Sequence, residues 1–174
     1  MLAEIFHRVN GQPPMLLREP DLARWPGGAY AAEFAASDEW ASIGAFGDGE
    51  LLRLRDNELS TIVPLELGGA LLVTAIYCDG DQAVNKLIDM IPVSGWVTLE
   101  QRLLSDGSEY VLFNSAIRGA DFTDPKLQKK LLKEHGGLLK FQLPEGKYEI
   151  DWLGPWRPDN RTELWLTRLV RTMI

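Results

Sequence analysis

The chain has 174 residues, 45% apolar and 25% charged, with a net charge of −7. This is the composition of one ordinary globular domain with a buried core, and it excludes a disordered chain. No apolar run approaches the roughly 18 residues that cross a bilayer, and one cysteine with two distant histidines excludes an internal disulfide and a zinc spacing.

PMLLRE (14–19) reads as a strand, and Pro20 and Asp21 in the following PDLARW start a short helical turn. Alanine-rich AYAAEFAAS (29–37) suits a short helix. ASIGAF and ELLRL flank Gly47-Asp48-Gly49, a tight hairpin signal in which glycine supplies a positive backbone angle. STIVPLE (60–66) is a further strand, with Pro64 at an edge or an end. GALLVTAIYC (69–78), nearly all apolar, reads as a central strand buried on both faces.

DQAVNKLIDMI places Ala83, Val84, Leu87, Ile88 and Ile91 at helical spacing before Pro92. GWVTLEQRLL and EYVLFNSA flank SDGS, read as another Asp-Gly hairpin. DPKLQKKLLKEHGG is the clearest helix, with Asp124 as N-cap, Pro125 at the first position and Gly136 as stop. LLKFQL, KYEIDWLG and ELWLTRLVR complete the chain as strands joined by PEGK and PWRPDN. The fold class is α+β: a predominantly antiparallel β-sheet of eight to ten strands in hairpins, with two or three short helices, over a single domain spanning 1–174. A faint internal echo links GELLRL with GGALLVTAIYCDGD to SEYVLF with EGKYEIDWLGPWRPD, a sign of two similar half-units.

The residues offer little chemistry. Cys78, Asp79 and Asp81 lack the alternating oxygen ligands of a calcium loop, and the flanking acids raise the thiol pKa, so they read as a strand end and a helix cap. Ser115 stands outside any nucleophile elbow, and His7 and His135 are the only histidine bases. The glycine pairs form neither G-x-G-x-x-G nor a P-loop. Glu100, Glu109, Glu149 and Asp151 sit on strand faces. Lys126, Lys129, Lys130 and Lys133 form a basic stripe without interleaved aromatics, which reads as a solvated face. No catalytic, cofactor-binding or metal residue emerges.

Charge is uneven. Residues 1–124 carry 19 acids and 8 bases, and residues 125–174 carry 6 and 10. The acidic part repels nucleic acid and favours a basic protein partner. The opening MLAEIFHRVNGQPP lacks the features of an export signal, so the cytoplasm is the expected location.

The order of the pieces resembles the immunity protein 21 family of bacterial polymorphic toxin systems. The matching segments are PMLLREPDLARW, FGDGELLRL, GGALLVTAIYCDGD, YVLFNSAIRG after Trp96, LPEGKYEID and TELWLTRL, across roughly residues 14–169. Gln12 and Pro13 replace a glycine pair of that pattern, and the helix at 124–135 is an added element. The resemblance implies a cytoplasmic, non-enzymatic protein that binds and neutralises a cognate toxin, with no catalytic residues to carry over. The expected contacts are Asp48 and Glu50 at one hairpin, Asp56 and Glu58 near the next turn, and Asp79 and Asp81 before the helix, with Trp156, read as a turn residue, as anchor. Membrane and nucleic-acid partners are not expected, and a homo-oligomer is not indicated. The alternative is a small ligand-binding or hydrolytic domain with a carboxylate-lined pocket around Asp151 or Glu100, and a third reading is self-association through sheet edges.

Overall fold

Alternating and continuous apolar runs become strands because only a pleated sheet lets each bury one face or both. A computed structural model describes residues 7–8, 14–28, 41–54, 59–65, 68–78, 89–135 and 137–172. The strands are β1 (His7–Arg8), β2 (Pro14–Arg18), β3 (Ala41–Phe46), β4 (Gly49–Leu54), β5 (Leu59–Pro64) and β6 (Ala70–Cys78). They continue as β7 (Val97–Ser105), β8 (Glu109–Asn114), β9 (Leu138–Gln142), β10 (Gly146–Asp159) and β11 (Thr162–Thr172). A 3-10 helix spans Glu19–Arg24, α1 spans Gly119–Thr123 and α2 spans Pro125–His135.

Among the described residues the strands form two antiparallel sheets. The six-stranded sheet has the order β1-β5-β6-β11-β10-β7, and the five-stranded sheet has the order β3-β4-β2-β8-β9. Their facing sides share one core, in which Leu16, Leu52 and Leu112 meet Leu72, Ile150 and Leu169. Each such leucine contributes roughly 1.5–3 kcal/mol by leaving water. The outer side of the five-stranded sheet, with Met15, Leu51 and Phe113, is covered by Leu22 and Trp25, by Phe122 of α1 and by Leu131 of α2. On the outer side of the six-stranded sheet, Val73 and Leu166 lie under Ile91 and Trp96. The α+β class and the antiparallel pairing therefore hold, and β6 is central and buried on both faces over residues 70–75.

Local signals are met in detail. Pro64 ends β5, and Asp124 accepts a hydrogen bond from the Lys126 N–H at 2.8 Å, capping α2. Gly47 (φ 61°) followed by Asp48 closes the β3–β4 hairpin, the arrangement of a type II′ turn. The helix read over 29–37, residues 81–88 of the second helix, and Gly136 lie outside the described residues.

Two expectations are corrected. SDGS does not close a hairpin: β7 pairs with β10 in one sheet and β8 with β2 and β9 in the other, so the turn carries the chain between sheets. The PEGK link joins β9 to β10 as expected, and it too crosses sheets, held by the buried Tyr148, whose hydroxyl lies 2.7 Å from the Pro144 carbonyl oxygen. PWRPDN is not one turn either. β10 runs on to Asp159 through two register shifts, and the turn is Asn160–Arg161, fixed by the Asp159 carboxylate on the Arg161 N–H at 2.8 Å. The echoed segments occupy matching places, with β4 and β8 flanking β2, and β6 and β10 flanking β11. Their connections differ, since β8 leads through α1 and α2 to β9 beside it in the same sheet whereas β4 crosses to β5 in the other, so the half-units are not copies of one topology.

Candidate functional site

A highly charged cleft of about 570 Å³ lies where the β3–β4 turn meets the β7–β8 crossing. Arg18, at the end of β2, is its hub. Pro20 steers the chain into the 3-10 helix immediately after β2 and returns Asp21 to the guanidinium. Arg18 Nε and Nη2 donate to Asp21 Oδ2 at 2.9 and 2.7 Å, and Nη1 donates to Asp106 Oδ2 at 2.5 Å. Asp21 is only 2% exposed. Its other oxygen lies 3.4 Å from both Arg24 Nη1 and the Asp48 N–H.

Two glycines permit this packing. A Cβ on Gly47 would stand 2.3 Å from Asp21 Oδ1, and one on Gly49 would stand 2.5 Å from Arg18 Nε. On the other wall, Asp106 accepts the Ser108 N–H at 3.0 Å, and Ser105 donates its hydroxyl to the Leu143 carbonyl at 2.8 Å. Hydrogen bonds from Ser108, and then the Arg18 guanidinium, hold the Asp106 carboxyl down at about 2. Arg18 is correspondingly raised, with Asp21 the main cause.

Asp48 and Glu50, both expected contacts, line this cleft together with Asp106 and Glu145. The Asp48 carboxylate is 76% exposed and meets Arg24 at 3.2 Å. Glu50 serves the fold as well, since its Oε2 accepts the Leu104 N–H at 2.8 Å and so binds the five-stranded sheet to the edge strand of the other. Leu104, at 56% exposure, adds an apolar surface within the acidic wall. Five carboxylates (Asp21, Asp48, Glu50, Asp106, Glu145) stand against the guanidinia of Arg18, Arg24 and the neighbouring Arg171, so the corner is negative. Its carboxylates face hydrogen-bond donors, an arrangement suited to recognising a cation.

Trp156 is corrected. It lies within β10, half-buried against the apolar outer side of the six-stranded sheet, not in a turn. Ten residues separate it from Gly146, beside the cleft, which is roughly 30 Å of strand. Asp56, Glu58, Asp79 and Asp81 lie outside the described residues. The structure thus joins Asp48 to Glu50 and parts both from Trp156.

Sequence reading missed Arg18, Asp21, Leu104, Asp106 and Glu145. Arg18 and Asp21 at i, i+3 were a usable signal, whereas the contact with Asp106 spans 88 positions. Of the alternative carboxylates, Asp151 and Glu149 are engaged on a strand face, and Glu100 is exposed on β7. Asp151 meets Arg168 at 2.7 Å and the Thr98 hydroxyl at 2.5 Å, Glu149 meets Arg102 at 2.8 Å, and Arg168 lies 4.2 Å over the Trp96 ring. Ser115 is fully buried and supplies its carbonyl to Trp25 Nε1 at 2.8 Å. Among the described residues no group of three or more His, Cys, Asp or Glu is arranged to hold a metal ion, and no helix is long and apolar enough to cross a membrane.

No family model, curated protein or solved structure matches the chain.

Proposed function

We propose that this chain is a non-enzymatic immunity protein of the cytoplasm that binds and neutralises a cognate toxin, with the acidic corner as its contact surface. The observation that carries the reading is the corner itself: the exposed carboxylates of Asp48 and Glu145 beside an exposed leucine, on walls that the Arg18 guanidinium ties together through Asp21 and Asp106. Such a surface draws in a basic partner by long-range attraction and holds it by desolvating Leu104. Asp48 and Glu145 supply accessible charge, while Glu50 and Asp106 keep the walls in place. The sequence resemblance supports the same reading, and neutralisation then consists of occluding or locking the toxin domain.

A standard interface buries about 800 Å² per partner, a disc of about 16 Å radius. Centred on the corner, that disc stops well short of Trp156, which leaves Leu104 as the apolar anchor. Asp56, Glu58, Asp79 and Asp81 remain proposed contacts on their charge alone.

Co-expression and pull-down with the toxin encoded beside this gene test the proposal. Protection and binding are expected, and the Asp48→Lys, Glu145→Lys double variant is expected to slow association at least tenfold at low salt while remaining folded. Absence of binding and protection refutes the function. Binding at an unchanged rate in the double variant refutes the corner.

A further inference from the structure

We propose that the chain also carries a binding site for a small organic amine, an ammonium group on an apolar body of about one ring. The site is the cavity between the 3-10 helix, α1, α2 and β9, and the inference is independent of the function proposed above. The cavity has a volume of about 430 Å³, within the roughly 300–1,000 Å³ typical of small-molecule sites. Its apolar lining comes from four elements: Leu22 of the 3-10 helix, Phe122 of α1, Leu131 of α2 and Leu138 of β9. Leu22 and Phe122 are buried, while Leu131 and Leu138 are half-buried, so the apolar wall reaches the opening.

The polar rim sets the charge preference. Lys140 Nζ lies 3.2 Å from Glu19 Oε1 and 3.0 Å from Glu109 Oε2, so one ammonium is shared by two carboxylates. The Gln128 amide nitrogen donates to the Phe122 carbonyl at 3.0 Å, and the Thr123 hydroxyl donates to the Ala120 carbonyl at 2.8 Å. The rim's side-chain donors are thereby largely engaged. Acceptors remain in the second Glu19 oxygen, the Gln128 carbonyl oxygen and the Thr123 lone pairs. A carboxylate ligand would find neither a free cation nor a full set of donors, whereas an ammonium finds acceptors and a surplus negative charge. The α2 lysines do not reverse this balance. Lys126, Lys129, Lys130 and Lys133 are exposed, and at 100° per residue they fall on the helix side opposite Gln128 and Leu131.

The test titrates the full chain, followed by amide NMR, with 2-phenylethylamine, 2-phenylethanol and 3-phenylpropionate at low salt. The amine is expected to bind at least tenfold tighter than the carboxylate, with the alcohol between them and the perturbed signals at Leu22, Phe122, Leu131 and Leu138. Glu19→Gln should reduce the amine's advantage roughly fivefold, the equivalent of about 1 kcal/mol, the value for a water-screened charge pair about 4 Å apart. Leu131→Trp, which fills the cavity, should abolish binding. Equal or tighter carboxylate binding, perturbations elsewhere, or no binding of any probe to about 10 mM overturns the site. Should Leu131→Trp fail to fold, Glu19→Gln decides: an unchanged amine preference refutes the proposal.

Discussion

Replacing Asp21 with alanine should destabilise the protein by about 2–3 kcal/mol. The carboxylate side chain is 3% exposed and takes two hydrogen bonds from Arg18, while Arg24 and the Asp48 N–H approach its other oxygen. Removing one partner of a buried ion pair costs roughly 3–5 kcal/mol, because the other charge stays buried and unpaired. Here the figure is lower, since the Arg18 side chain is 13% exposed and keeps Asp106. At this chain length, 2–3 kcal/mol corresponds to a Tm loss of roughly 4–12 °C. A double-mutant cycle isolates the contact: Asp21→Ala, Arg18→Met and the pair, each unfolded in urea with the m-value checked for constancy. A coupling energy of about 1.5–2.5 kcal/mol is expected. Coupling below about 0.5 kcal/mol would mean that the guanidinium does not hold the corner, and the preorganised contact surface would fall with it.

Glu50→Ala should cost about 0.5–1.5 kcal/mol and leave the Leu104 N–H unpaired on an edge strand, raising self-association by strand addition, as read by sedimentation velocity. Gly119→Ala should prevent normal folding, because its Cβ would stand 1.5 Å from the Leu22 carbonyl oxygen, and circular dichroism with soluble yield checks this. The depressed Asp106 pKa carries a definite sign. The unfolded chain takes up this proton near 3.8 and the folded one only near 2, so protonation favours unfolding in that window. The Asp106 contribution is full above pH 4 and is lost as pH falls towards 2. Asp106→Asn should flatten that part of a stability–pH curve recorded by urea unfolding.

Elements were legible where the signal is local. The Asp124 cap, the Gly47 turn and the all-apolar β6 each follow from a few adjacent residues. Which strand pairs with which is not local information. SDGS has the composition of a hairpin turn, and Gly107 indeed takes φ 85°. Yet polar β7, exposed along most of its length, suits an edge, while β8, buried from Tyr110 to Asn114, needs a neighbour on each side. That mismatch in burial separates the two strands and turns an apparent hairpin into a crossing. Trp156 was misplaced for a related reason: two prolines and a glycine look like a loop, but a long strand with register shifts absorbs them.

The site follows from the same crossing. Because the chain changes sheets at Asp106, that carboxylate arrives beside Arg18, which β2 has already brought to Asp21. One guanidinium thus ties the 3-10 helix to the crossing, and Glu50 ties the sheets from the other side. The backbone that presents the contact residues is fixed in this way, so association carries little cost of ordering loops. The acids nevertheless differ in what they can report. Altering Asp21, Glu50 or Asp106 disturbs the fold and the charge together. Asp48 meets only the exposed Arg24 through its side chain, and among the described residues no partner is seen for the Glu145 carboxylate. Charge reversal at these two positions separates recognition from stability: slower association with an unchanged urea midpoint assigns them to contact, and a shifted midpoint with unchanged association assigns them to the fold.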